Sequence, residues 1–124
     1  MADLNLTESD DTYEHTKGKA WVNILGLGGK DKITIHGNAN VVGGAGDDTI
    51  DGGAGSDSIS GGAGADTMQG GNGATVYVVD NVGDVVTELA NGGFDEVRSS
   101  VNYTWVSNIE KLTLIGSADI TGTG

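Results

Sequence analysis

Three aspartates recur at intervals of nine residues in the middle of the chain, namely Asp48, Asp57 and Asp66. Carboxylate oxygens are hard donors, and they suit Ca²⁺ better than Zn²⁺ or Cu²⁺, while Mg²⁺ requires a smaller and stricter octahedron. The chain has no Cys, so thiolate ligands are excluded. His15 and His36 are isolated and have no second histidine at a metal-ligand spacing. The repeated chemistry is therefore that of oxygen donors, which favour a hard cation.

The aspartates belong to a nine-residue repeat that occupies residues 43–78 in four copies: GGAGDDTID, GGAGSDSIS, GGAGADTMQ and GGNGATVYV. Gly fills positions one, two and four of every copy. Asp fills position six in three copies, and Thr75 takes that position in the fourth. A large apolar residue fills position eight throughout: Ile50, Ile59, Met68 and Tyr77. A fixed period of this kind is typical of architectures that stack one short unit on the next.

The pattern decays upstream of Gly43. Residues 26–34 read GLGGKDKIT and keep Gly at positions one and four, Asp31 at position six and Ile33 at position eight. The next unit, residues 35–42, has Ala39 in the aspartate position and is one residue short. We therefore expect a slip of phase in this coil. Further upstream, Asp11 and Tyr13 resemble the aspartate and apolar positions of one more degenerate unit.

The spacing requires short strands joined by glycine-rich turns. One apolar residue in nine cannot form a helical face, which needs a period of 3.6. Short strands are predicted at Thr49–Asp51, Ser58–Ser60 and Thr67–Gln69, with one side chain pointing inward from each. Ile59, for example, is expected to point into the core between outward-facing serines. Glycine at positions one, two and four permits positive φ and lets carbonyl groups converge. Two repeats then form one coil, with one strand in each of two sheets.

This arrangement places repeats of equal parity on the same side. Asp48 and Asp66 are eighteen residues apart and fall on one side, together with Asp31, whereas Asp57 falls on the other. Neighbouring coils lie about 4.8 Å apart, the spacing of hydrogen-bonded strands. Carboxylates held so closely repel each other, by roughly 4 kcal/mol at an effective dielectric constant of 20. A calcium ion between coils would remove the repulsion, since Ca–O distances of about 2.3–2.6 Å are half of that spacing.

Residues 26–78 resemble the RTX (repeats-in-toxin) family, and residues 43–69 match its nonapeptide pattern in full. The resemblance implies an all-β fold, a right-handed parallel β-roll, with calcium as the cofactor. It also implies a set of calcium ligands. These are the carboxylates of Asp48, Asp57, Asp66 and, less closely, Asp31, and the carbonyls of Gly44, Gly46, Gly53, Gly55, Gly62 and Gly64.

Several neighbouring acids do not fit the repeat. Asp47 and Asp51 are interpreted as solvated residues rather than ligands. Asp80, Asp84 and Glu88 do not form an EF-hand loop, because Val85 stands where that loop needs glycine, but they leave open a site at the end of the roll. Because Ala39 and Thr75 replace aspartate on the Asp57 side, we expect tighter calcium binding on the other side.

Composition and motifs exclude several classes of function. The chain has 18 acidic and 6 basic residues and a formal net charge of −12, which argues against binding nucleic acid. No apolar run approaches the roughly 20 residues of a membrane span. No nucleophile elbow or phosphate-binding loop occurs, so no enzymatic activity is expected.

Three segments are predicted: a degenerate N-terminal coil or cap at 1–25, the repeat β-roll at 26–78 and a β-rich C-terminal extension at 79–124. Strands at and within this extension are expected at Val76–Val79, Val85–Glu88, Glu96–Val101 and Lys111–Ile115. The ending TGTG resembles the start of another unit, which suggests an excerpt from a longer parent chain.

The predicted function is that of a calcium-binding structural module that folds outside the cell and supports secretion and stability of a larger extracellular protein. Residues 1–11 lack the order of a cleavable signal peptide, and the RTX resemblance implies export without one. The alternative is a calcium-loaded carbohydrate-binding module similar to the repeat modules of alginate epimerases, with polysaccharide as a partner.

Overall fold

The computed structural model describes residues 2–14, 22–53, 55–71, 73–81, 83–88, 93–104, 109–115 and 122–123. These residues form strands and turns, and they contain no helix with the length and apolarity of a membrane-spanning segment. The strands are β1 Ala2–Asn5, β2 Thr12–Glu14, β3 Val22–Leu25, β4 Lys32–Thr34, β5 Ala39–Val42, β6 Thr49–Asp51, β7 Asp57–Ser60, β8 Thr67–Gln69, β9 Thr75–Val79, β10 Val85–Thr87, β11 Glu96–Ser99, β12 Tyr103–Thr104, β13 Lys111–Leu114 and β14 Gly122–Thr123.

The strands alternate between two parallel sheets. One sheet has seven strands in the order β1-β3-β5-β7-β9-β11-β13, and the other has five in the order β10-β8-β6-β4-β2. A separate parallel pair joins β12 and β14. Because odd-numbered strands enter one main sheet and even-numbered strands the other, successive units of the chain wind a coil with one strand on each side. The predicted all-β parallel β-roll is confirmed.

The register of the strand pairing gives the number of residues in each coil. Asp57 pairs with Ala39 on one side and with Thr75 on the other, which is 18 residues per coil in both directions. Ala39 pairs with Val22, only 17 residues earlier. The shorter coil contains residues 35–38, so the predicted slip of phase is confirmed, and the turn takes up the missing residue while the strands stay paired.

Strands from all three predicted segments lie in the same two sheets. Upstream of the repeats, β1 pairs with β3 and β2 pairs with β4. Downstream, β11 pairs with β9 and with β13, and β10 pairs with β8. The strands expected in the C-terminal segment are present, although three of them end one or two residues earlier than predicted.

The core is a thin double column of side chains between the two sheets. Every position-eight residue of the repeats points inward and is at most 1% exposed, namely Ile50, Ile59, Met68 and Tyr77. Ser58 and Ser60, on either side of Ile59, are half-buried and lie on the outer face of β7. Parallel pairing stacks Ile59 between Val41 and Tyr77. The inward orientation of the apolar position is confirmed, and each inward side chain supports the coils above and below it.

Replacing Ile59 with alanine should destabilise the roll by about 2–5 kcal/mol, because it removes buried methylenes and leaves a cavity in a core too thin to collapse around it. Urea unfolding at saturating calcium measures the loss. Ser58→Ala is the matched control on the adjacent outward position and should change the free energy of unfolding by less than about 0.5 kcal/mol. Equal losses for the two variants would contradict the inward assignment.

Candidate metal centre

Carboxylates at position six form a hydrogen-bonded ladder on one side of the roll. Each of four Oδ1 atoms accepts a hydrogen bond of 2.9 Å from the backbone N–H of the corresponding residue one coil earlier. The acceptors are Asp31, Asp48, Asp66 and Asp84, and Asp11 donates to the first of them. The predicted grouping of Asp31, Asp48 and Asp66 on one side is confirmed.

The opposite side carries a second and less regular ladder. Oδ1 of Asp57 accepts a hydrogen bond of 3.1 Å from the N–H of Ala39. Oδ1 of Asp95 accepts one of 2.8 Å from the N–H of Thr75, and the N–H of Asp95 in turn donates to Glu110 at 2.7 Å. Asp95 therefore occupies the aspartate position one coil beyond Thr75.

In five of these six aspartates, the second carboxylate oxygen has no hydrogen-bond partner. Among the described residues, the buried and unpaired carboxylate oxygens are the Oδ2 atoms of Asp31, Asp48, Asp57, Asp66 and Asp95. These residues are at most 4% exposed, so water does not solvate the carboxylates freely. A buried polar atom without a partner is costly, and a charged one more so. The same orphan atom therefore recurs in five turns, and a hard cation would satisfy it in each of them.

Glycine at position one creates the space into which these oxygens point. A Cβ on Gly52 would lie 2.8 Å from Oδ2 of Asp57, and one on Gly43 would overlap Oδ2 of Asp48 and lie 2.6 Å from the carbonyl oxygen of Gly61. Oxygens of two adjacent coils thus converge on Gly43. Glycine at position one permits positive φ but does not adopt it: in the repeats, positive φ occurs at position four of all four copies and at position two of the first three. Position one needs glycine for space rather than for φ.

The six glycines with predicted carbonyl ligands all have positive φ, between 62° and 116°. Along the column, the carbonyl oxygens of Gly44 and Gly46 lie directly against the bare Cα of Gly62 and Gly64 in the next coil. On the other side, the carbonyls of Gly53 and Gly55 face Gly71 and Gly73 in the same way. The turns therefore stack with carbonyl oxygens directed from coil to coil. Their role as calcium ligands, like that of the aspartates, stays a prediction.

Leu27 shows that the turn around Asp31 keeps the same backbone path without the second glycine. Leu27 has a φ of 73°, the only positive value for a non-glycine residue in the described chain. Its carbonyl oxygen lies against Gly44, as that of Gly44 lies against Gly62. The departure from the repeat at position two is therefore accommodated by backbone strain in Leu27.

Burial controls the electrostatics of the aspartates. Desolvation raises the pKa of Asp48 to about 6 and that of Asp57 and Asp66 to about 7, although a backbone hydrogen bond to each lowers it. Desolvation, together with the adjacent Glu88 carboxyl, raises the pKa of Asp95 to about 7. These carboxylates are thus poorly stabilised as anions near neutral pH, and a bound cation would stabilise them.

A cation at these turns has to take backbone carbonyls as ligands. Within the part of the chain that the structure describes, no three side chains of His, Cys, Asp or Glu cluster closely enough to form a metal site. The donors that do converge, orphan carboxylate oxygens and carbonyls of stacked turns, are all hard oxygens. This donor set fits calcium, which accepts six to eight oxygen ligands in flexible geometry.

The acidic residues in or next to the ladders that remain differ from the five aspartates with a buried and unpaired Oδ2, and their carboxylates accept hydrogen bonds from nearby backbone N–H groups. Asp47 is exposed and accepts a hydrogen bond from Ala65, and Asp51 accepts one from Gly53. Oδ2 of Asp84 differs from the orphan oxygens, because it accepts hydrogen bonds from the N–H groups of Asp80 and Asn81 at 3.2 Å. Asp84 therefore closes the ladder with backbone partners.

Sequence reasoning missed Asp95, and it placed Asp11 only in a degenerate unit with Tyr13, without a role in the ladder. Asp11 lies 20 residues before Asp31 and Asp95 lies 20 after Thr75, whereas the repeat predicts 18. A search that allowed two inserted residues per coil could have found both. Of the histidines, His36 pairs with Glu14 at 2.6 Å, and His15 lies outside the described residues.

Residues 42–77 match the family model of the RTX calcium-binding nonapeptide repeat, in four copies. The match covers the turns that carry Asp48, Asp57 and Asp66 and ends before Glu88 and Asp95. No curated protein and no solved structure matches the chain.

Replacing Leu27 with glycine should stabilise the calcium-loaded chain. A left-handed conformation costs an L-residue roughly 1–2 kcal/mol, and the extra flexibility of glycine in the unfolded state offsets about 0.5–1 kcal/mol of this. We expect a net gain of about 0.5–1 kcal/mol in urea unfolding. Ala45→Gly, at position three of the next turn, should instead lose stability. If Leu27→Gly also lowered the free energy of unfolding, the backbone of Leu27 would not be strained.

The calcium-free chain should lose structure as the pH rises from about 4 to 7. The folded pKa values of Asp57, Asp66 and Asp95, about 7, exceed the usual 3.8. The folded state therefore binds more protons than the unfolded state in this window, and its stability falls as they dissociate. Circular dichroism in metal-stripped buffer measures the change.

Saturating calcium is the control for this pH dependence. Calcium competes with protons for the same carboxylates, so the loaded chain should gain stability over the same window. A β-signal that stays constant or grows with pH in the absence of calcium would contradict the raised pKa values of these carboxyl groups.

Proposed function

Residues 42–77 of this chain are RTX calcium-binding nonapeptide repeats, and from this premise we propose that the chain is a structural module that folds when it binds calcium outside the cell. Calcium would bind at the stacked turns, with Asp31, Asp48, Asp57 and Asp66 and the carbonyls of the positive-φ glycines as ligands. The module would support secretion and stability of a larger extracellular protein.

The single observation that carries the proposal is the recurrence of a buried and unpaired Oδ2 in successive turns. Asp31, Asp48 and Asp66 stack at the coil spacing, and no basic side chain hydrogen-bonds to any of their carboxylates among the described contacts. Two charges about 4.8 Å apart repel by roughly 3–4 kcal/mol at an effective dielectric constant of 20. A core only two side chains thick offers little to offset that cost. A calcium ion between two carboxylates would attract both of them and so offset their mutual repulsion.

The proposed extracellular setting follows from the calcium concentration that such sites need. Extracellular calcium modules bind at about 10⁻⁴–10⁻³ M, far above the affinity of cytosolic buffers. A chain with sites in this range would stay unfolded at low calcium and fold after export. Calcium at 100 times its Kd stabilises a folded chain by about 2.7 kcal/mol per site, so several stacked sites together would make folding conditional on the ion.

Binding of anionic polysaccharide finds no specific support in the described residues. Arg98 and Lys111 lie 3.3 Å and 3.9 Å from the carboxylate of Glu96, so both interact with the chain itself. Lys30 and Lys32 are exposed, while Lys17 and Lys19 lie outside the described residues. A calcium-dependent structural role is therefore the better supported function.

Calcium should be required for folding. We expect circular dichroism at neutral pH to show a largely unordered chain in excess chelator and a β-rich chain after millimolar calcium is added, because only the ion neutralises the stacked carboxylates. A native β-spectrum in excess chelator would contradict the proposal.

Asp48→Asn sharpens this test, because the amide oxygen can still accept the hydrogen bond from Asp31 while the charge is lost. The calcium concentration at half-folding should rise about tenfold, equivalent to about 1.4 kcal/mol. Asp57→Asn should give a smaller rise, since Ala39 and Thr75 flank it. The matched control is Asp47→Asn, which removes an exposed charge from the adjacent position and should leave the midpoint within about twofold.

A further inference from the structure

The fourth repeat lacks an acid at position six, yet its turn contains unpaired polar atoms. Thr75 takes the aspartate position and is 1% exposed, and its Oγ1 has no hydrogen-bond partner. Asp95, one coil further on, is fully buried, and its Oδ2 also has no hydrogen-bond partner. These atoms lie on the side of the roll that the repeat pattern predicts to bind calcium less tightly.

Glu88 places a carboxylate where the aspartate of the fourth repeat would have been. In the second repeat, a Cβ on Gly52 would lie 2.8 Å from Oδ2 of Asp57. In the fourth repeat, a Cβ on Gly70 would lie 2.9 Å from Oε2 of Glu88 and 2.9 Å from Oγ1 of Thr75. Glu88 follows β10 directly, as Gly70 follows β8, so its longer side chain reaches back by one coil.

The Glu88 carboxylate is held in this orientation. It is 7% exposed, and Oε2 accepts a hydrogen bond of 2.7 Å from the hydroxyl of Tyr77, itself a fully buried position-eight residue. Asp95 is held independently, through the hydrogen bond of 2.8 Å that Oδ1 accepts from Thr75. Two carboxylates and a hydroxyl therefore meet in one buried turn, and two of their oxygens are orphaned.

We propose that Glu88, Thr75 and Asp95 form a further calcium site, in which Glu88 supplies to the fourth repeat the carboxylate that Thr75 lacks. The inference rests on the proposed calcium function and extends it to Glu88 and Asp95, which lie beyond the matched residues 42–77. The donors are hard oxygens that carry two negative charges, which suits calcium. Backbone carbonyls from the stacked turns complete the ligands, since Gly55 and Gly73 each direct a carbonyl at the following coil.

The test is the number of calcium ions bound per chain, measured by equilibrium dialysis of the full chain. Glu88→Gln keeps the size of the side chain and an oxygen acceptor for Tyr77 but removes the charge. We expect it to bind one ion fewer than the wild type. Glu14→Gln is the matched control, because Glu14 is exposed on β2, and its ion count should equal that of the wild type. An unchanged count in Glu88→Gln overturns the proposal.

A rescue variant separates ligation from packing. Thr75→Asp in the Glu88→Gln background returns a carboxylate to the fourth repeat from its own position six, and it should restore the lost ion. A purely structural Glu88 would give no rescue. If Glu88→Gln does not fold, Tyr77→Phe provides the measurement: loss of the hydroxyl that orients Glu88 should weaken the affected site about 10–100-fold, and an unchanged calcium isotherm overturns the proposal.

The wild-type chain distinguishes this inference from the function on which it rests. A wild type that binds no calcium defeats both. A wild type that binds calcium, with the same ion count in Glu88→Gln, defeats only the additional site.

Discussion

Each coil of the roll holds a carboxyl group by one oxygen and leaves the other oxygen facing the interior of the turn. The held oxygen accepts a backbone N–H from the coil before, which fixes the carboxylate at the strand spacing from its neighbour. This geometry brings like charges together in a buried place, and burial raises the pKa of Asp48 and Asp66. The stack is therefore favourable only when something neutralises those charges. The glycine turns, the thin core and the acidic composition are all compatible with calcium as that partner.

The three kinds of recurring position within a repeat have three separate physical roles. Glycine at position one leaves room for the orphan oxygen, because a Cβ there would collide with it. Glycine adopts positive φ at position four of all four repeats and at position two of the first three, which turns the backbone so that carbonyls face the next coil. The apolar side chain at position eight fills the core between the sheets. Position two can hold a residue other than glycine, as Leu27 shows, but an L-residue adopts the positive φ found there only with backbone strain.

The two sides of the roll differ in what fills the turn interior. On the Asp48 side, four successive turns carry an aspartate whose Oδ1 accepts the preceding N–H. On the other side, Ile35 follows β4 as Gly52 follows β6, and its fully buried side chain brings apolar atoms to that turn. Further along, the Glu88 side chain enters the turn of the fourth repeat. The interior of the turn can thus hold an apolar side chain, an aspartate or a glutamate from the following coil.

The sequence by itself determined the coil, the parity of Asp48 and Asp57, the inward position of Ile59 and the oxygen character of the proposed ligands. It could do so because period, glycine placement and apolar spacing are local properties that repeat without interruption. Only the tertiary structure decided that Asp95 joins one ladder and that Asp11 donates a hydrogen bond to Asp31 in the other, since insertions of two residues break the period while strand pairing continues. The tertiary structure alone placed Glu88 beside Thr75. That contact depends on a side chain that extends from one coil to the next, and the spacing of residues along the chain does not predict it.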